Sequence, residues 1–403
     1  MKLKLVIFFL GILTIACRED DLVEEDFAVS IEGRVICQNG LAGSYACDNY
    51  DIMSRISNDT LGVTRLNDLW GWTDPNTQKE YALLGTYNST IFIDISLAES
   101  PKIIGYLPSN SDSSNWRDIK VYENHAYIVS EAENHGMQVF DLTRLRNPQE
   151  QPMVFNEDVL YTIFTTSHNL VINKQSGYAY AVGSDTFNGG VHIINIQNPQ
   201  QLIFEGGFDF IGYTHDAQAI TYNGPDLDHV GKELLLSSNE DFVTITDVTN
   251  KSNPTLISRV AQDNVGYIHQ GWIDESHRYF YANDELDEAE FGFKSRTLVF
   301  DFTDLDNPVY RGPYLGPTQA IDHNLYTNGT ELFLSNYTNG VRIVDITESD
   351  PALMSEIGFF DTYPQNDDTI FDGAWSVYPY FESGNIIISD ISNGLFIIRK
   401  TGT

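Results

Sequence analysis

Cysteine is scarce here: three residues in 403. That excludes a disulfide-stapled scaffold, and no pair of cysteine or histidine pairs has zinc-finger spacing. Positive charge is scarce too, with 23 Lys and Arg against 57 Asp and Glu, a net charge of −34. Nucleic-acid binding needs a basic footprint, and electrostatic docking on anionic lipid needs a polybasic patch, so both are excluded. The acidic balance instead suits an extracytoplasmic surface or a site for cations. There is no apolar run of the roughly 20 residues that a membrane-spanning helix needs. No stretch after residue 28 holds a helical period. Standard catalytic signatures are missing as well: no GxSxG, no HExxH, no phosphate-binding P-loop, no GxGxxG after a strand. Asp226-Leu227-Asp228-His229 begins like a calcium loop but lacks the later oxygen ligands.

What is present begins with an export signal. Lys2 and Lys4 precede an apolar run from Leu5 to Ala16, so 1–16 is expected to be a signal peptide. Leu13-Thr14-Ile15-Ala16-Cys17 resembles a bacterial lipobox, with Cys17 as the lipidated residue. The acidic segment after it makes 17–28 a lipidated tether, similar to the export tags of surface lipoproteins in Bacteroidota. The expected location is the outer membrane, lipid-anchored and facing the cell surface, with no other membrane contact. Within 29–49, Cys37 and Cys47 are then the remaining cysteines. In an oxidising compartment they are expected to pair, the alternative being two free thiols.

The remainder, 50–403, repeats. IFIDI (91–95), MQVFDL (137–142), VHIINI (191–196), VTITDV (243–248), TLVFDF (297–302), VRIVDI (341–346) and a degenerate LFIIRK (395–400) start 44 to 54 residues apart. Period-2 alternation and Gly/Asn/Pro punctuation mark each period as several strands. A regular period of such units predicts a β-propeller. Inner strands starting near Trp70, Trp116, His168, His215, His269, His323 and Trp375 predict seven four-stranded blades, with six as the alternative. The last blade lacks a fourth strand before the chain ends. Residues 50–57 match the outer strands elsewhere and are expected to supply it, closing the ring.

Four blades begin their inner strand with a histidine and a polar partner: His168-Asn169, His215-Asp216, His269-Gln270 and His323-Asn324, the last preceded by Asp322. Arg117-Asp118 and Trp375-Ser376 take the place in two others. The loops between second and third strands belong on the same face and carry Glu131, His135, Asp284 and Glu285. Imidazoles with carboxylates nearby suit a divalent metal, for which His168, His215, His269 and His323 are the candidate ligands. The competing reading has each histidine bond to a neighbouring blade and lock the ring.

Several segments resemble the choice-of-anchor B family, whose members carry LVIVD-type repeats. They include Trp70-Gly71-Trp72-Thr73-Asp74-Pro75, Trp116-Arg117-Asp118, Ser167-His168-Asn169, Thr214-His215-Asp216, His269-Gln270-Gly271-Trp272, Asp322-His323-Asn324 and Gly373-Ala374-Trp375-Ser376. The resemblance spans roughly 45 to 400. It implies a surface or secreted propeller and no particular activity. Two functions are therefore expected to compete. One is a non-enzymatic module binding a polymer, protein or small molecule. The other is a metal-dependent hydrolase or lyase at the channel mouth.

Overall fold

The computed structural model describes residues 28–149, 152–348 and 350–403. The expected signal peptide, Cys17 and nearly all of the acidic tether lie outside them. Seven antiparallel four-stranded blades form a ring. Their inner strands are Leu66–Thr73, Arg117–Tyr122, Asn169–Asn173, Asp216–Thr221, Ile268–Ile273, Leu325–Asn328 and Ala374–Tyr378. No helix among the described residues is long and apolar enough to cross a membrane.

The repeated motif is the third strand of each blade. Its apolar residues are buried between blades, as where Phe92 of the first stacks on Phe140 of the second with centroids 4.6 Å apart. Its closing Asp or Asn has a local task. Asp94, Asp141, Asn195, Asp247, Asp301 and Asp345 each accept the backbone amide two residues on, fixing the turn that leaves the strand. Arg399 stands at this place in the seventh blade and bonds Asn385 Oδ1 instead. Next to the third strand, the fourth commonly bulges. Opposite Ile193 and Val299 the bulge falls on Gly206 and Gly312, whose φ of 105° and 109° a side chain would oppose.

The ring closes as expected. Tyr50–Ile56 is the fourth strand of the seventh blade and pairs antiparallel with Gly394–Lys400, Tyr50 opposite Lys400 and Ile56 opposite Leu395. Side chains reinforce this closure. Buried Arg55 donates to Asn393 O and Tyr45 Oη, both at 2.8 Å. Buried Asp51 accepts from Arg34, the Cys37 amide and Thr401. Upstream, Tyr45–Asp48 extends the sheet of the sixth blade, and Cys37 and Cys47 form a disulfide.

One register differs from the sequence reading. In the first blade, Leu66 pairs with Thr86 and Leu69 with Leu84. Ile268 with Asp284 and Gly271 with Ala282 is the matching pattern in the fifth blade. Asn67, not Trp70, therefore occupies the place that His269 holds. Trp70 matches Trp272 of the fifth blade, not Trp116 or Trp375, which stand at the start of their own inner strands.

Candidate functional site

At one end of the channel, four imidazoles follow the ring from blade to blade. His168 and His215 have centroids 4.1 Å apart, His215 and His269 4.2 Å, and His269 and His323 4.2 Å. Trp375 continues the arc at 4.8 Å from His323. These side chains, with Glu285, Tyr337, Trp116, Phe371, Arg65 and Asn115, line a cavity of about 350 Å3. The histidines meet because each starts the inner strand of its own blade, where consecutive blades bring equivalent positions close to the axis.

Hydrogen bonds fix how the rings present their nitrogens. His215 Nδ1 lies 2.9 Å from the His269 carbonyl and His323 Nδ1 2.6 Å from the Trp375 carbonyl. A carbonyl can only accept, so both Nδ1 atoms carry the proton and both Nε2 atoms keep a lone pair. His168 Nδ1 donates likewise to Glu131 Oε1 at 2.6 Å. Hydrogen bonds of this kind at one ring nitrogen fix the orientation of the other. Interblade locking is thus real, and it uses Nδ1 while leaving Nε2 free. His269 Nδ1 is buried without a partner.

One carboxylate completes the set. Glu285 Oε1 is 3.5 Å from His323 Nε2, and Oε2 is 3.8 Å from His269 Nε2. All three residues offer ligand atoms within 4.8 Å of one another. Around an ion with bonds of about 2.1 Å, tetrahedral ligands sit roughly 3.4 Å apart. Tyr337 donates to Glu285 Oε1 at 2.8 Å and holds it in place. Burial pushes Glu285 up to about 7 and His323 down to about 3. Burial, with adjacent imidazoles, holds His215 and His269 well below the ordinary range. Neutral imidazoles are the form that binds metal.

Other expected site residues lie elsewhere. Asp118 and Asp216 sit one residue deeper than the histidines, in a buried layer around Lys120. Lys120 pairs with Asp118 and lies 3.6 Å from Asp68. Burial acts against the Lys120 charge, but Asp118, Asp68 and Asp216 hold its pKa above normal. Burial raises Asp216 to about 7. Asp284 and Asp322 turn away from the cavity. Asp284 accepts the Gly266 and Tyr267 amides and lies 3.7 Å from Arg296. Asp322 is buried beside Glu288, Asp287 and Asp284. His135 is buried in the second blade, where its Nδ1 donates to Gly136 O and its Nε2 accepts from Arg117 at 3.0 Å.

A second cluster, Asp226, His229 and Asp306, falls on the loop that begins like a calcium site. The Lys232 ammonium donates to His229 Nδ1 at 3.0 Å, so Nε2 carries the proton toward Asp306 at 3.1 Å. Neither nitrogen is free for a metal.

Tyr337, Arg65 and Lys120 were not foreseen. Lys120 alternates with Asp118 on one inner strand and was legible from that spacing. Tyr337 lies on the second-to-third-strand loop of the sixth blade, a loop class expected on this face, and was legible from that, whereas Arg65 just before the first inner strand had no such signal.

The fold and its mouth define a seven-bladed propeller with a histidine-lined channel end. Three segments of it, 115–141, 238–262 and 333–362, match the family model of the LVIVD repeat. No curated protein matches the chain. A solved structure of Kuenenia stuttgartiensis hydrazine synthase is similar over 80% of this chain and 93% of its own, at 12% identity and a TM-score of 0.56. A functionally unknown protein from Desulfotomaculum acetoxidans is similar over 83% and 97%, at 14% identity and 0.52. Likeness at these identities shows the propeller fold alone.

Proposed function

We propose that this propeller binds a divalent transition-metal ion at its histidine mouth and presents it to a small ligand in the cavity. His269 Nε2, His323 Nε2 and Glu285 are the ligands, with His215 and His168 next along the arc. The observation that carries the reading is His323, whose Nδ1 proton is held by the Trp375 carbonyl so that its Nε2 lone pair faces the half-buried Glu285, with His269 Nε2 on the other oxygen of that carboxylate. Two imidazoles and one carboxylate leave coordination positions open, as sites that take an exogenous ligand require. In this reading the chain is an exported choice-of-anchor B protein, lipidated at Cys17, whose propeller acts as a binding module outside the cytoplasm.

Elemental analysis of protein purified without chelator tests the metal. About one equivalent of Zn, Mn, Fe, Co or Ni is expected, lost in a His269→Ala, His323→Ala double variant that keeps its circular dichroism. Glu285→Gln gives a milder second arm. Protein that neither carries such a metal nor takes up added Co(II) saturably overturns the proposal. Mass spectrometry of the mature N-terminus tests the anchor, since an unmodified start at any residue other than Cys17 excludes it.

A further inference from the structure

Two guanidinium groups belong to this mouth, and neither has an acidic partner among the described residues. Arg117 holds in the second blade the ring position that histidine holds in the next four. It is 2% exposed. Both of its acceptors are neutral: the Thr86 carbonyl at 3.4 Å and His135 Nε2 at 3.0 Å. His135 is kept neutral by burial and by Arg117 itself, which bring its pKa down to about 4. Arg117 Nη2 is buried with no partner at all. The residue lines a narrow extension of the channel, about 20 Å3, together with His168, His269, His323 and Trp375. Arg65 lines the main cavity, and its Nε is also buried without an acceptor.

Carboxylates are not in short supply in a chain with 57 of them. Two of them even line this space, Asp68 with Arg117 in the narrow extension and Glu285 with Arg65 in the cavity, yet neither comes within ion-pair distance of a guanidinium. A buried cation lacking a counter-charge is costly, and the guanidinium fork suits planar or tetrahedral oxyanions. The walls offer something different. Trp116, Trp375 and Phe371 are flat and largely apolar, and 350 Å3 is at the small end of ligand cavities. We infer that the mouth takes a small oxyanion, a carboxylate or phosphate monoester on a compact aromatic or apolar body, with Arg65 and Arg117 receiving the charge. The inference rests on the metal reading for what the oxyanion meets at the arc, but the arginine contacts exist without the ion.

Tryptophan fluorescence reports on the site, since Trp116 and Trp375 line it. Metal-free and metal-loaded protein are titrated with benzoate, phenyl phosphate and neutral benzamide. Saturable binding of one of the two anions, at least about tenfold tighter than benzamide, is expected in both forms, and the preferred anion distinguishes carboxylate from phosphate. Arg65→Gln should weaken the anion about tenfold while leaving benzamide binding and metal content unchanged. Arg117→Gln should act in the same direction if it folds. Equal binding of anion and amide, an unchanged anion affinity in Arg65→Gln, or no saturable response from any probe overturns the inference. If the metal is absent yet the anion preference persists, the metal reading alone fails.

Discussion

The two ends of the channel are built by the same seven inner strands and differ in what their side chains still have to offer. The end opposite the histidines is larger, about 620 Å3, walled by Trp70, Trp272, Tyr378, Tyr380 and aliphatic residues. Many of its polar side chains are already engaged. Gln218 accepts the Ile273 amide, Asn173 donates to Thr221, and Glu275 accepts the Gly329 amide. The histidine end is smaller yet keeps lone pairs, a carboxylate and two guanidiniums without final partners. Volume alone points to the larger end, whereas unengaged polar atoms point to the histidine end. Lys120 and its three carboxylates lie between the two, and the ammonium also sits 4.7 Å from the Trp70 ring.

Opening the ring should damage both ends at once. Deleting residues 28–57 exposes the Gly394–Lys400 edge and is expected to abolish cooperative thermal unfolding. A truncated protein that melts like the longer chain would show that the N-terminal strand does not close the propeller. Next in size is Lys120→Met, which leaves Asp68, Asp118 and Asp216 buried without a cation. A loss of about 3–5 kcal/mol in denaturant titration is expected, and a loss below about 1 kcal/mol would remove the buried layer as a support of either mouth.

The contrast itself is sharpened by a pair of variants. Tyr337→Phe removes the donor that positions Glu285 and should weaken metal binding by roughly 10–100-fold in calorimetry. Trp272→Ala, at the other end, should leave it unchanged. Equal effects from both would erase the distinction between the two ends.

The smallest effect concerns the carboxylates behind the histidine mouth. Burial, then Asp287, pushes Glu288 up to about 9. Asp287, Asp284, Asp322 and Arg296 are the charged groups grouped with it. The folded state thus keeps a proton that the unfolded chain releases above its ordinary carboxylate pKa near 4.5. Stability from this group is fully present below that value and is lost as pH rises toward about 9. Glu288→Gln should therefore raise the melting temperature by about 2 °C or more at pH 8 and by less at pH 5. The same gain at both pH values would mean that Glu288 does not titrate differently on folding.

The sequence by itself determined the repeat, the seven blades, the strand that closes them and the histidine positions. These follow from local pattern, because side-chain alternation and turn chemistry are properties of neighbouring residues. The Asp or Asn that ends each repeat bonds only two residues away, so its period is printed in the chain. Tertiary structure alone decided which polar groups share a cavity. Asp284 and Glu285 are adjacent in sequence, yet one is taken up by the Gly266 and Tyr267 amides and the other meets His323 and Tyr337. Asn67 takes the ring position expected for Trp70, while Trp70 lines the opposite end, a difference only the strand pairing reveals. Tyr337 reaches Glu285 from 52 residues away, across a blade boundary whose angle is set by the packing of the whole ring.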